Sequence, residues 1–351
     1  MMLIGMNLLA LLTFLQLASG MLVMDSEIPL KKCRYFEDRK YNLNQVLCKD
    51  LKLLDIPDNL RSNVEVLDAR ENRIRELRNN SLKRYSNLRF LYLADNFVQT
   101  IPEGAFESTY YLEVLDLSKN GLTDLPKSLF RMNNLRNLYF EENQLHDPVF
   151  EVTGVTAPLK WLYLSGNKLT QIPRLSPIPL VTILNVSHNQ ITRVTTEDIA
   201  PLCLLEYLDL RDNPIQFDQK TCECYTFKEW IKFRKINLNM TVDCPKNLQK
   251  KCAFGQHVKP EMRFSNRTMT LFSSCQAILK TRAEAMKART TWIWIASCVG
   301  AFIGCIFIAL CCMHRNNRNK RRHLKEQNIL TANNANTTEQ LLNKETKHET
   351  A

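Results

Sequence analysis

"LEVLDLSKNGL", residues 112–122, places apolar side chains at Leu112, Leu115, Leu117 and Leu122, with an asparagine at Asn120. A helix face repeats every three or four residues, and a half-buried strand every two. Here the strand rhythm holds only from Leu115 to Leu117. Aligning the chain on the asparagine explains the rest. The same frame recurs at Asn72, Asn96, Asn120, Asn143, Asn167, Asn189 and Asn213, at intervals of 22 to 24 residues. Each asparagine has apolar residues eight, five and three places before it and two after, from the weak set Val64, Leu67, Ala69 and Ile74 to Leu205, Leu208, Leu210 and Ile215. Seven near-equal periods of this length mark a solenoid.

The unit has a physical reading. Its "LxL" is a short strand whose alternate side chains point into the solenoid while their neighbours face out. The chain then turns inside the stack, where backbone groups lose water, and an asparagine amide can bond them layer by layer. Ile101-Pro102 with Phe106, and Leu125-Pro126 with Phe130, supply a second buried set on the far side. "DPVFEVTGVTAP" (147–158) and the proline-rich "IPRLSPIP" (172–179) depart from the pattern, so a change of curvature is expected there.

This frame resembles the repeats of extracellular leucine-rich-repeat proteins over residues 64–215, and with flanking caps over about 33–275. The repeats are like those of Toll-like receptor ectodomains. Size, tail and C-terminal cysteines look more like transmembrane leucine-rich immune proteins. The resemblance implies an α/β fold: a leucine-rich-repeat horseshoe with a parallel concave β-sheet and disulfide caps, plus one transmembrane helix.

Each repeat buries its core only against its neighbours, so both ends need caps. Cys33 and Cys48 precede the first repeat. Cys222 and Cys224 follow the last, then "YTFKEWIKF", whose Phe227, Trp230 and Ile231 share a helical face, and then Cys244, Cys252 and Cys275. Zinc competes with disulfides for these thiols. An oxidising compartment and the lack of a nearby Cys-x₂-Cys pair favour disulfides. Six cysteines, Cys203 included, allow 15 connectivities. By resemblance, Cys222 is expected with Cys244 or Cys252, and Cys224 with Cys275; the state of Cys203 stays open.

Residues 1–20 are expected to be a cleaved signal peptide, apolar and ending in Ala18-Ser19-Gly20. Trp292–Met313 is uncharged and, at ~1.5 Å per residue, about 33 Å long, enough for a bilayer core. Six Lys/Arg follow between Arg315 and Lys325 and four precede it, from Lys280 to Arg289. That bias predicts a single-pass type I protein of the cell membrane, with an extracellular N-terminus. The expected domains are 21–63 (N-terminal segment with cysteine cap), 64–219 (seven repeats) and 220–275 (C-terminal cap). A stalk at 276–291, the span at 292–313 and a disordered cytoplasmic tail at 314–351 complete them.

The net charge of +11 concentrates beside the membrane, which argues against nucleic-acid binding. The six histidines are scattered, and no nucleophile elbow or phosphate loop occurs. Neither an enzyme nor a metal or cofactor site is expected.

Ligand binding is expected on the outward strand positions, where Phe90, Tyr92, Tyr139, Trp161 and Tyr163 form an aromatic set across repeats two to five. Stiff amphipathic rings are favoured interface anchors. The competing reading is that the apolar members only shield the sheet. Four sequons, at Asn79, Asn185, Asn239 and Asn266, are expected to carry glycans. Asn185 projects from the sheet beside Tyr163, whereas Asn239 and Asn266 fall in the cap region. In the span, Gly300 and Gly304 suit a homodimer or co-receptor contact. Cys311 and Cys312, at its cytosolic edge, suit palmitoylation, with apolar filler as the alternative. The resemblance implies a recognition receptor or co-receptor for protein or microbial ligands in innate immunity. An adhesion or guidance protein and a channel's auxiliary subunit are the alternatives.

Overall fold

The computed structural model describes residues 32–38, 43–252 and 263–348. The expected signal peptide lies outside them. The chain divides into two units, Met1–Leu279 and Lys280–Ala351.

The first unit is built on one ten-stranded sheet. Strands β1 (Arg34–Asp38) and β2 (Leu43–Leu47) form an antiparallel pair at its N-terminal edge. The rest stack in parallel: β3 (Val66–Asp68), β4 (Phe90–Tyr92), β5 (Val114–Asp116) and β6 (Asn137–Tyr139). β7 (Val152–Thr153) leaves the sheet, and β8 (Trp161–Tyr163) continues it. β9 (Leu175–Ser176) pairs with β7 in a separate two-stranded parallel sheet. β10 (Ile183–Asn185), β11 (Tyr207–Asp209) and β12 (Asn237–Asn239) complete the main sheet. The β7–β9 pair occupies the two irregular repeats, which thereby bond to each other away from the main sheet.

The opening stretch behaves as its spacing demands. Leu112, Leu115, Leu117 and Leu122 are all fully buried and belong to one core running through every repeat. The buried turn is held by the asparagines. Asn143 Oδ1 accepts the Leu122 N–H at 3.0 Å, while its Nδ2 donates to the carbonyls of Leu117 (2.9 Å), Phe140 (3.1 Å) and Glu141 (3.2 Å). The other six asparagines repeat this scheme, Asn72 reaching back to Leu51 and Leu53 of the N-terminal segment and each of the rest to the repeat before. The residue ahead of each asparagine is left-handed. Only Gly166 (φ 68°) suits that conformation; Glu71, Asp95, Lys119, Glu142, His188 and Asp212 adopt it at φ 52–57°. The unfavourable backbone geometry, ~1–2 kcal/mol for an L-residue, is held by inter-repeat bonds such as Lys119 N–H to the Glu141 carbonyl at 2.8 Å.

Disulfides join Cys33–Cys48, Cys203–Cys275, Cys222–Cys252 and Cys224–Cys244. Cys224 thus bonds Cys244 rather than Cys275, because Cys275 lies against the last repeat's Cys203. Helix α1 (Thr196–Ile199) opens with a capping box between Thr195 and Asp198. α2 (Glu223–Arg234) inserts Phe227 into the repeat core and Trp230 into a second cluster with Ala200 and Phe264. Ile231, on the same face, is only half-buried. A short helix α3 (Gln249–Cys252) follows. The last helix, α4, spans Asn266–His348. Near its start, Phe272 stands edge-on to Trp230 at 5.5 Å. Arg234 lies 4.3 Å over the Phe272 ring and donates to the Cys203 carbonyl.

The second unit is helical and holds a segment that is long and apolar enough, by length and composition, to cross a membrane. The helix runs on through 314–348, where composition predicts a disordered tail.

Candidate functional site

The strand register determines which outward side chains meet. Along the third place of the repeats it aligns Phe90, Val114, Asn137, Trp161, Ile183 and Tyr207. Along the fifth place it aligns Asp68, Tyr92, Asp116, Tyr139, Tyr163, Asn185, Asp209 and Asn239. From Leu67 to Leu208 the intervening leucines point inward and are at most 2% exposed, and Leu238 of β12 is half-buried, so both rows lie on the sheet's outer face.

The five expected aromatic residues fall into two groups. Tyr139 and Tyr163 stack, with ring centroids 4.9 Å apart and planes 14° from parallel. Trp161, on the same strand as Tyr163, is the most open at 38% exposure. Phe90 and Tyr92, on β4, are separated from that group by β5, which contributes Val114 and Asp116. Neighbouring strands lie ~4.8 Å apart, so the separation spans one strand's width on each side. Burial raises Tyr92, Tyr139 and Tyr163, with Tyr139 pushed up to about 12 by burial and then by Tyr163. These phenols remain neutral hydrogen-bonding groups at physiological pH.

Carboxylates share this face and were not among the residues expected to bind. Asp68, Asp116 and Asp209 occupy the same place in their repeats, and each accepts the backbone N–H two residues on. At the N-terminal end Arg70 closes over Asp68, with Nη2–Oδ2 at 2.6 Å and Nε–Oδ1 at 2.9 Å. Its guanidinium lies 5.5 Å from the Tyr92 ring centroid. At the C-terminal end Arg211 closes over Asp209, with Nη2–Oδ2 at 2.8 Å. These two carboxylates are 3% and 2% exposed. Burial alone would raise Asp209, but hydrogen bonds from Arg211 and Asn239 outweigh it and hold the carboxyl below its usual range. In the middle, Ser118 stands where the arginines do, and Asp116 stays half-open. Ser118 Oγ donates to Glu141 at 2.8 Å. Burial raises the Glu141 carboxyl, the Ser118 bond opposes that rise, and nearby Asp116 adds to it. The signal was present at the seventh place: "DAR" and "DLR" at the ends, "DLS" in the middle.

The sequons separate by position. Asn79 is exposed, and Asn266 is exposed at the start of α4. Asn185 is half-buried on the sheet, its Oδ1 accepting from the Ser187 hydroxyl at 2.8 Å. Asn239 does not belong to the cap alone. Strand β12 places it on the same row, its Nδ2 donating to Asp209 Oδ2 at 2.9 Å. "INLNM" (236–240) alternates like the other strands but lies beyond the last asparagine frame. In α4, Cys311 and Cys312 are free, exposed thiols.

The leucine rich repeat family model matches residues 86–145 and 157–215. The break between them holds the 3₁₀ turn Asp147–Phe150 and β7. The chain is 31% identical over 182 residues to Tsukushi of Gallus gallus, covering 50% of this chain and 48% of that one. It is 34% identical over 134 residues to Podocan of Mus musculus, covering 37% and 21%. Against Transforming growth factor beta activator LRRC32 of Mus musculus it is 32% identical over 135 residues, covering 37% and 20%. The chain thus spans less than half the length of each of these relatives. Fold and matches together define a leucine-rich-repeat solenoid with disulfide bonds. They support the repeat family and not the Toll-like-receptor type in particular.

Proposed function

We propose that this chain is a single-pass surface protein, N-terminus outside, that binds a protein ligand on the middle of its sheet face. The observation that carries this reading is the stacked Tyr139–Tyr163 pair beside half-open Trp161, on a face whose ends are closed by their own Asp–Arg pairs. Large rings that are partly dry and conformationally fixed lose little entropy when a partner covers them. One relative's name, a transforming growth factor beta activator, favours a protein ligand. Glycans at Asn185 and Asn239 would flank Asp209 and cover the C-terminal part of the face, directing a ligand to repeats two to five. Gly300 and Gly304 serve as a helix-pairing stripe in this reading, and Cys311 and Cys312 as acylation sites.

The innate-immune role implied by the repeat resemblance, including microbial ligands, shares this surface with the adhesion and channel-subunit alternatives. They differ in the partner. Affinity purification from intact membranes separates them by yielding a pathogen-responsive complex, a neighbouring-cell ligand or a multi-span channel. The reading requires that the purified partner be lost with Tyr139→Ala and kept with Asp209→Asn. Loss with Asp209→Asn and retention with Tyr139→Ala would refute it. Mass spectrometry of the glycopeptides checks the premise, since unoccupied Asn185 and Asn239 would remove the reason to favour the N-terminal half.

A further inference from the structure

We infer that the middle of the sheet face takes a basic side chain, an arginine above all, from an exposed basic segment of the protein partner. The inference rests on the proposed binding face and adds the chemistry of what binds there. The fold itself displays the arrangement in question. At the N-terminal end a carboxylate (Asp68), a guanidinium (Arg70) and a ring on the next strand (Tyr92) assemble into an ion pair lying over a phenol. Two repeats on, the carboxylate (Asp116) and the next-strand ring (Tyr139) recur at the same register positions. The cation does not: Ser118 replaces it.

Two consequences of that replacement are visible. Asp68 and Asp209 are buried beneath their arginines, whereas Asp116 remains half-open. A second carboxylate, Glu141, leans on Ser118 from the adjoining repeat. Among the described residues neither Asp116 nor Glu141 has a cation within ion-pair distance. Arg70 is close enough for Asp116 to raise its pKa, but its hydrogen bonds go to Asp68. A guanidinium suits this place better than an ammonium, because its planar fork can pair with a carboxylate while its face lies on the Tyr139 ring.

The test uses the full chain in neutral phosphatidylcholine nanodiscs and a fluorescein-labelled hexa-arginine peptide, with a hexa-citrulline peptide of the same shape as the uncharged control. Anisotropy is read at about 0.15 M salt, where charges more than about 8 Å apart are largely screened. The expected result is binding of the arginine peptide, at least tenfold weaker binding of the citrulline peptide, and a loss of at least tenfold in the Asp116→Asn/Glu141→Gln variant. Ser118→Arg should block the peptide equally by supplying the missing cation from within, and Asp209→Asn should leave binding unchanged. Both carboxamide changes keep side-chain shape, so they decide the matter even if Ser118→Arg fails to fold. Failure of the wild type to bind hexa-arginine, or equal binding by the double carboxamide variant, overturns the inference. The two claims fail separately: a membrane partner that needs Tyr139 but ignores both carboxylates sinks this inference alone, and one that ignores Tyr139 sinks both.

Discussion

The ends and the middle of the sheet face use the same residue, an aspartate at the fifth place of the repeat, with opposite results. At the ends Asp68 and Asp209 are sealed by Arg70 and Arg211 and are almost inaccessible. In the middle, Ser118 stands two residues after Asp116, and the carboxylate, its neighbour Glu141 and the Tyr139–Tyr163 stack all remain half-open. A solenoid makes this comparison unusually clean, because the backbone around each position repeats. The difference shared by both ends lies in one side chain two residues downstream, to which Asn239 adds a second bond at Asp209. It teaches that the ends have committed their carboxylates to ion pairs within the fold, while those in the middle have no paired cation among the described residues.

If that division holds, changes at the ends should cost stability and changes in the middle should cost binding. The largest effect is expected at the C-terminal cap. Cys224 is fully buried in α2 and tied to Cys244, so Cys224→Ser should cost about 2–5 kcal/mol and retain the protein inside the secretory pathway. Surface staining measures it, and normal surface levels would mean that the cap does not hold the end of the stack.

A smaller loss tests the support under the middle. Asn143 is 7% exposed and makes four hydrogen bonds to backbone, so Asn143→Ala should cost on the order of 1–3 kcal/mol by leaving buried groups unpaired. Asn120 makes the equivalent bonds from a half-exposed site, so its alanine variant should sit at the lower end of that range. Thermal melting ranks the two. An Asn120 variant that melts below the Asn143 variant would show that burial does not set the value of the ladder.

The ladder was legible in the sequence because its period is rigid: one asparagine per turn, fixed by the need to satisfy the same buried backbone groups. The irregular stretch 147–158 was also legible, as a departure from the apolar pattern between two asparagines that keep the period. Other features were not. The left-handed residue before each asparagine is mostly Glu, Asp or Lys, since inter-repeat hydrogen bonds override the preference that would have put glycine there. Cysteine spacing does not encode proximity, so the Cys203–Cys275 bond came only with the packing of α4 on the last repeat. Asn239 escaped because β12 continues the sheet after the asparagine frame has ended. The aromatic candidates could be named from strand parity alone. Their division by Asp116 needed the register, and the contrast between Asp116 and Asp209 needed the arginines to be seen closing over one and not the other.

Below these effects lies the acid response of Asp209. Asp209 has a lowered pKa, so it contributes stability above its usual 3.8, and that contribution is lost as pH falls through the lower folded value. Asp209→Asn should therefore flatten the acid limb of the melting profile below about pH 4. Asp116→Asn, which removes no ion pair seen among the described residues, should change stability at neutral pH by about 0.5 kcal/mol or less. Melting curves of Asp209→Asn and wild type from about pH 2.5 to pH 7 read the first, and a melt of Asp116→Asn at neutral pH the second. An acid limb that is unchanged in Asp209→Asn would break the claim that this end is electrostatically closed.

The smallest effect concerns Glu141, and its sign is opposite. Its carboxyl is raised above the usual 4.5, chiefly by burial, against the Ser118 hydrogen bond. Between 4.5 and the folded value, the folded chain holds this proton more tightly than the unfolded chain does. Stability therefore falls as pH rises through that window, and above it the ionised Glu141 is a standing cost to the fold. Glu141→Gln should remove the slope and leave a variant as stable as the wild type or slightly more so at neutral pH, by about 0.5 kcal/mol or less. Ser118→Ala should steepen the slope, because the bond that favours the ionised form is gone. Together with loss of hexa-arginine binding in the Asp116→Asn/Glu141→Gln variant, a stabilised Glu141→Gln protein would show a carboxylate kept at the expense of the fold and used by a partner. A Glu141→Gln variant that instead melts lower at neutral pH would mean that Glu141 belongs to the support of the sheet, and the contrast between ends and middle would reduce to Asp116 alone.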